Sequence, residues 1–166
     1  MGFGDSSLFL KIAFILLIVA FIIQILGVAL PYWYELDAGV VETNAGLFKI
    51  CSEVGSTKVC RNVKNPVDWW AATQAFEIIG LLIIIGALIL AIVIIFVKSD
   101  MKILKLILWI LCFCAFGFII IGCIIFGAEY GNLYDDGLSG AFAICIINSV
   151  VCLVAGVLAL LDWKSA

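Results

Sequence analysis

The residues of this chain that could do chemistry are few, and they fall into two groups. The first is a set of seven cysteines. Cys51 and Cys60 share one polar stretch, "GLFKICSEVGSTKVC", whereas Cys112, Cys114, Cys123, Cys145 and Cys152 lie in runs of Ile, Leu, Val and Phe. The second is a set of polar side chains embedded in apolar sequence: Gln24, Glu77 and Asn148. A cysteine pair in one loop could form a disulfide, and embedded polar groups could line an ion path or tie helices together. Histidine is absent. That removes the commonest general base, the commonest transition-metal ligand and the usual axial ligand of a membrane b-type haem. Cys112 and Cys114 are spaced to face opposite sides of a helix and lack the CxxC spacing, so they make a poor redox pair. The five cysteines in apolar runs read as small buried hydrophobes. With no carboxylate pair, nucleophile–base constellation or phosphate loop, no enzyme activity and no cofactor or metal is expected.

The elements that must position these groups follow from composition. Of 166 residues, 66% are hydrophobic and only 13% charged, and the mean hydropathy is +1.32. Polar surface on that scale cannot cover so large an apolar core in water, so a single membrane domain is expected. The net charge of −3 is small and dispersed, which argues against nucleic acid and leaves membrane lipid as the surrounding partner. Four apolar runs, at about 12–30, 71–97, 103–126 and 138–161, reach the roughly 20 residues a spanning helix needs. The first reads as an uncleaved signal-anchor.

Lys98, Lys102 and Lys105 crowd the short link between the second and third runs, and Lys11 and Lys164 flank the outer ones. The positive-inside rule places these ends, with both termini, in the cytosol. Tyr32, Trp33, Tyr34, Trp69, Trp70, Tyr130 and Tyr134 then mark the outer interface, and Trp109 and Trp163 the inner one. Two loops face outside: a long one, 31–69, and a short acidic one, 127–137, holding Glu129, Asp135 and Asp136.

Outside the cell, paired cysteines oxidise. Val54-Gly55-Ser56-Thr57 has glycine first in the centre of a two-residue type II′ hairpin turn. That register sets Cys51 opposite Cys60 as a non-hydrogen-bonded pair, and Glu53 opposite Lys58. A disulfide there should contribute roughly 3 kcal/mol to a hairpin marginal on its own. Residues 38–42 read as an earlier strand and 43–46 as the bend after it. Asn65-Pro66-Val67-Asp68 reads as a cap and first turn for the second helix. The fold class expected is an all-α membrane protein, a four-transmembrane-helix bundle with a small extracellular antiparallel β-sheet.

Trp33, Gly46-Leu47-Phe48, Cys51 and Cys60 resemble the Trp…Gly-Leu-Trp…Cys…Cys signature of the claudin and peripheral myelin protein superfamily. "DWWAATQAF", from Asp68, is similar to the start of helix two in its epithelial membrane protein branch, and "SGAFA", from Ser139, falls where the family starts helix four. The resemblance implies that Trp33 packs beneath the sheet and that Gly46, Leu47 and Phe48 anchor a strand at the membrane surface. Three positions depart from the pattern. Phe48 replaces the second Trp, Gln74 stands where many claudins have Arg, and the tail "DWKSA" lacks the terminal PDZ-binding motif, so a PDZ scaffold is not expected.

Gln24 and Asn148 lie within about two turns of each other in depth. They read as an interhelical hydrogen bond, with an ion or substrate path as the alternative. Glu77, taken as the only acid close to a span, reads as a boundary carboxylate near the outer end of helix two, or as a pore-mouth charge. The function expected is a claudin-like plasma-membrane protein of cell–cell contacts or membrane organisation. It would associate with copies of itself in cis and in trans, as a paracellular barrier or pore in one variant. The alternative is an auxiliary subunit of an ion channel or receptor. Association should rest on the outer loop, not on the tail after Trp163.

Overall fold

The computed structural model describes residues 6–97, 101–133 and 137–165. Lys98, Tyr134, Asp135, Asp136 and Ala166 lie outside them. Four helices, α1 (Leu8–Ala29), α2 (Asp68–Phe96), α3 (Lys102–Leu133) and α4 (Gly140–Ser165), frame a sheet inserted between the first two. Each helix is long and apolar enough to cross a membrane. They pack in a closed ring, α1 on α2, α2 on α3, α3 on α4 and α4 on α1. The ring is close because small side chains face inward. Ala13, Ala20, Ala87, Ala91 and Ala155 are buried, while Ile15, Ile22, Leu82, Ile124 and Ile147 are exposed. Gly80 abuts Ile119 and Gly156 abuts Cys112, whereas Gly86 and Gly117 have open space where a Cβ would stand.

Several boundaries move from the sequence reading. The Ser7 hydroxyl accepts from Leu10 N at 3.1 Å and starts α1 one turn before the apolar run. Asn65 is not the cap of α2: its φ is +52°, and the helix starts at Asp68 after Val67 without a side-chain cap. α3 does not stop at 126. The Tyr130 ring stacks on Phe126 one turn earlier, with centroids 5.9 Å apart, and the helix runs on to Leu133. At 1.5 Å per residue α3 is about 48 Å long, well beyond a 30 Å hydrocarbon layer. Most of the expected second loop is therefore helix.

The sheet is antiparallel in the order β1 (Tyr34–Asp37), β2 (Val41–Ala45), β3 (Lys49–Val54) and β4 (Thr57–Asn62). The second hairpin has the expected register, with Cys51 opposite Cys60 and Glu53 opposite Lys58, around Gly55 at φ +60°. The first hairpin is shifted. Ala38-Gly39-Val40 is its turn, not part of a strand, because the Asp37 carboxylate accepts from Gly39 N at 2.7 Å and Gly39 takes φ +79°. This Asx turn releases Thr43-Asn44-Ala45, expected as a bend, to form the second half of β2. Its Thr43 then lies opposite Ser52.

The two edges of the sheet differ. Beside β1 runs the chain that leads into α4: Glu35 N donates to Gly137 O at 2.7 Å, Ser139 N to Trp33 O at 2.9 Å and Ala141 N to Tyr32 O at 2.8 Å. β4 forms the opposite edge, and all six of its residues are exposed.

Candidate functional site

The sheet is seated on the bundle by residues on either side of β1 and β2. Trp33, which precedes β1, has no exposed surface. Its Nε1 donates to Gly27 O at 2.7 Å, its amide to Ala45 O at 2.8 Å, and its ring meets Phe126 edge-on at 4.9 Å and Phe142 at 5.8 Å. Gly46 lies against the turn that leaves α1. A Cβ there would stand 2.7 Å from Pro31 Cα and overlap the Leu30 carbonyl, so only glycine fits. Leu47 is fully buried, and its carbonyl accepts from Trp70 Nε1 at 2.9 Å and Gln74 Nε2 at 2.5 Å.

This is the role of Gln74 that the sequence did not disclose: a side-chain amide from α2 fastening the β2–β3 turn. Phe48, expected with Gly46 and Leu47 to anchor a strand here, keeps 38% of its surface exposed. Leu47 is the side chain driven inward.

Above the seat, the Cys51–Cys60 disulfide joins β3 to β4, with Cα atoms 4.0 Å apart. It ties the exposed edge strand to a strand whose Cys51 is buried. The adjacent Lys58–Glu53 pair, 3.9 Å apart and two-fifths exposed on both sides, adds little stability in water. Cys112, Cys123, Cys145 and Cys152 are buried and outside any disulfide, but Cys114, expected to be buried with them, is exposed because it lies on the side of α3 opposite Cys112.

No family model and no curated protein matches the chain. What the site can do must come from its geometry.

Below the seat a polar thread crosses all four helices. Asn148 of α4 donates through Nδ2 to Gln24 Oε1 of α1 at 2.7 Å. Gln24 Nε2 donates to the Glu77 carboxylate of α2 at 2.7 Å, and Cys123 of α3 donates its thiol at 3.6 Å. Gly122 makes the room, since a Cβ there would stand 2.7 Å from Glu77 Oε1. Gln24 and Asn148 thus come together as the sequence reading set them.

Glu77, expected as a boundary carboxylate, is fully buried between helices, about 13 Å from the start of α2 at 1.5 Å per residue. A carboxylate therefore does accompany the two amides. With Gln24, Glu77 and Asn148 all at zero exposure, the thread has the form of an interhelical tie, not the lining of an open path.

Glu77 is not the only acid inside a helix. Asp162, 1% exposed in the last turns of α4, meets Lys105 Nζ of α3 at 2.9 Å and accepts from the Ser7 hydroxyl. The reading of 161 as the end of the fourth span hid it. The signal that could have exposed it is a lone acid facing the lysines of the neighbouring helix at the same bundle end.

Proposed function

We propose that this chain is a multi-pass plasma-membrane protein related to the claudin and peripheral myelin protein superfamily. Both termini lie in the cytosol and the sheet lies outside. It organises membranes at cell contacts by associating with copies of itself.

The observation that carries this reading is the asymmetry of the sheet. One edge is paired along the approach to α4, while β4 is exposed throughout yet fastened by a disulfide. An edge strand held rigid and left open is a template for another chain, and proteins that do not use such an edge blunt or cover it.

Other observations support it. Lys11, Lys102, Lys105 and Lys164 all belong to the helix ends away from the sheet, as the positive-inside rule asks of cytosolic ends. Large apolar side chains outside and small ones inside suit a bundle solvated by lipid. Of the positions that carry the resemblance, Trp33, Gly46 and Leu47 meet at the junction of sheet and bundle, and Cys51 and Cys60 brace the sheet above it.

The auxiliary-subunit reading draws on a different observation. β4 carries Lys58 and Arg61 and no carboxylate, a strand that complements an acidic segment of another protein. Copurification of one channel or receptor with the full chain, lost on reversing both charges, would favour that reading.

Energy transfer between tagged copies in contacting cells tests the proposal. Cys60→Ser should reduce clustering at contacts several-fold, and removing the residues after Trp163 should leave it intact. The opposite pattern would assign docking to the tail and overturn this account of the sheet.

A further inference from the structure

Where the sheet meets the ends of α2 and α3, a cavity of about 330 Å³ opens beside the seat. That volume is the size of a small-ligand site. Its lining includes Tyr34, Trp69, Trp70, Tyr130, Asn65 and Pro66. The four rings form two tilted pairs, Tyr34 with Tyr130 at 31° and Trp69 with Trp70 at 33°. The pairs meet almost at a right angle, Tyr34 against Trp70 at 78° with centroids 5.9 Å apart. Phe126 backs the corner, edge-on to Trp69 at 5.6 Å and to Trp70 at 5.9 Å. The Trp70 donor is already spent on the Leu47 carbonyl, so its ring is what remains to offer.

Rings set at right angles, with no lysine or arginine among them, suit a cation that carries no hydrogen-bond donors. The exposed acids Glu35, Asp68 and Glu129 each neighbour one of these rings in sequence. A second hollow shares the Val63 wall and is lined by Arg61 and Lys64. An aromatic corner and a basic hollow, side by side, match a zwitterion with a quaternary ammonium at one end and a phosphate at the other.

We propose that this pair of hollows binds the phosphocholine headgroup of a membrane lipid, its trimethylammonium in the aromatic corner and its phosphate at Arg61 and Lys64. The assignment to a lipid rests on the spanning reading above. Trp69 and Trp70 lie in the first turn of α2 and Tyr130 in the last turn of α3, the level at which headgroups meet such helices.

The test uses the full chain purified in a maltoside detergent, titrated with dihexanoyl phosphatidylcholine below its micelle concentration and followed by intrinsic tryptophan fluorescence. Saturable binding at least ten-fold tighter than for the phosphatidylethanolamine analogue is expected. Trp69→Leu, which keeps an apolar wall but removes the ring, should weaken binding by ten-fold or more, and Lys64→Glu by several-fold. Equal affinity for the two headgroups in the unaltered protein overturns the cage without relying on any variant. Free phosphocholine binding as tightly as the lipid overturns the lipid source. An Asn-x-Ser acceptor inserted at the exposed turn around Gly39 reports separately, by glycosylation, whether the sheet is outside. Failure of the topology and failure of the site therefore give different results.

Discussion

At the sheet end of the bundle, Trp33 is enclosed by aromatic rings and spends its indole and backbone donors on carbonyls of the α1 end and of β2. At the far end, α1, α3 and α4 meet at one carboxylate, Asp162, through Ser7 and Lys105. The first junction is broad, apolar in its energetics and built on neutral hydrogen bonds. The second also has a buried apolar cluster, Leu10, Ile94, Ile95 and Leu108 among it, but its polar contact is one carboxylate whose strength depends on two charges cancelling in a place little water reaches. The sheet end thus holds a platform in one orientation through rings and neutral hydrogen bonds, whereas the far end adds one charged tie to its apolar packing. Loss of area should weaken the first junction in proportion, and loss of one partner should leave the second worse than if both were absent.

The largest effect is expected from Trp33→Ala. It removes a fully buried indole and orphans the Gly27 carbonyl, costing about 4 kcal/mol. Thermal unfolding in detergent should show it, with the Cys51–Cys60 bond still formed. Unchanged stability would mean that the sheet is not seated through this residue. Next comes Lys105→Ala, which strands the Asp162 charge. A cost of about 3 kcal/mol is expected, at the low end for buried pairs because the lysine side chain keeps 12% of its surface exposed. Adding Asp162→Leu should recover most of that loss. If the double variant is no better than the single one, the far end is held by packing and the contrast between the ends disappears.

The same contrast explains what could be read from sequence. The β3–β4 hairpin was legible because Gly55 fixes the turn, and a two-residue turn dictates every pair that follows, Cys51 with Cys60 included. The β1–β2 hairpin was not. Thr43-Asn44-Ala45 has the composition of a bend, yet a partner on each side holds it as an inner strand. β1 has only four residues, and its Tyr34 passed for part of an aromatic belt. The depth match of Gln24 and Asn148 followed from helical rise alone. Glu77 and Asp162 were misplaced or missed because both helices run beyond their apolar runs, and a carboxylate near a run's end looks like a boundary group until the helix is extended past it. Composition locates spans, but the helix end is set by local partners, such as the Tyr130 ring on Phe126.

A smaller effect should separate the polar thread from both ends. Glu77→Gln keeps an acceptor for Gln24 and adds an amide that can donate within the bundle, so a change within about 1 kcal/mol is expected. Glu77→Leu removes the nearer of the two acceptors of Gln24 Nε2, leaving the Glu77 backbone carbonyl at 3.3 Å, and strands the Cys123 thiol, so it should cost about 2 kcal/mol. If both changes cost the same in thermal unfolding, hydrogen bonding is not what Glu77 contributes.

A comparably small effect is expected one residue from one of the largest. Leu47 and Phe48 are neighbours in the turn between β2 and β3, but Leu47 is fully buried and Phe48 is not. Leu47→Ala empties a space beneath the sheet and should cost about 3 kcal/mol. Phe48→Ala removes a larger side chain from a partly wet surface. Part of its area faces solvent already, so the loss should stay near 1 kcal/mol. Size alone would order the two the other way. If Phe48→Ala proves the more damaging in thermal unfolding, the aromatic is the anchor and Leu47 is incidental, which would reverse the orientation of the turn. If the expected order holds and Phe48→Ala also lowers energy transfer between tagged copies, then the exposed ring belongs to the surface that meets a neighbour. The seat and the contact surface would then be divided between two adjacent residues.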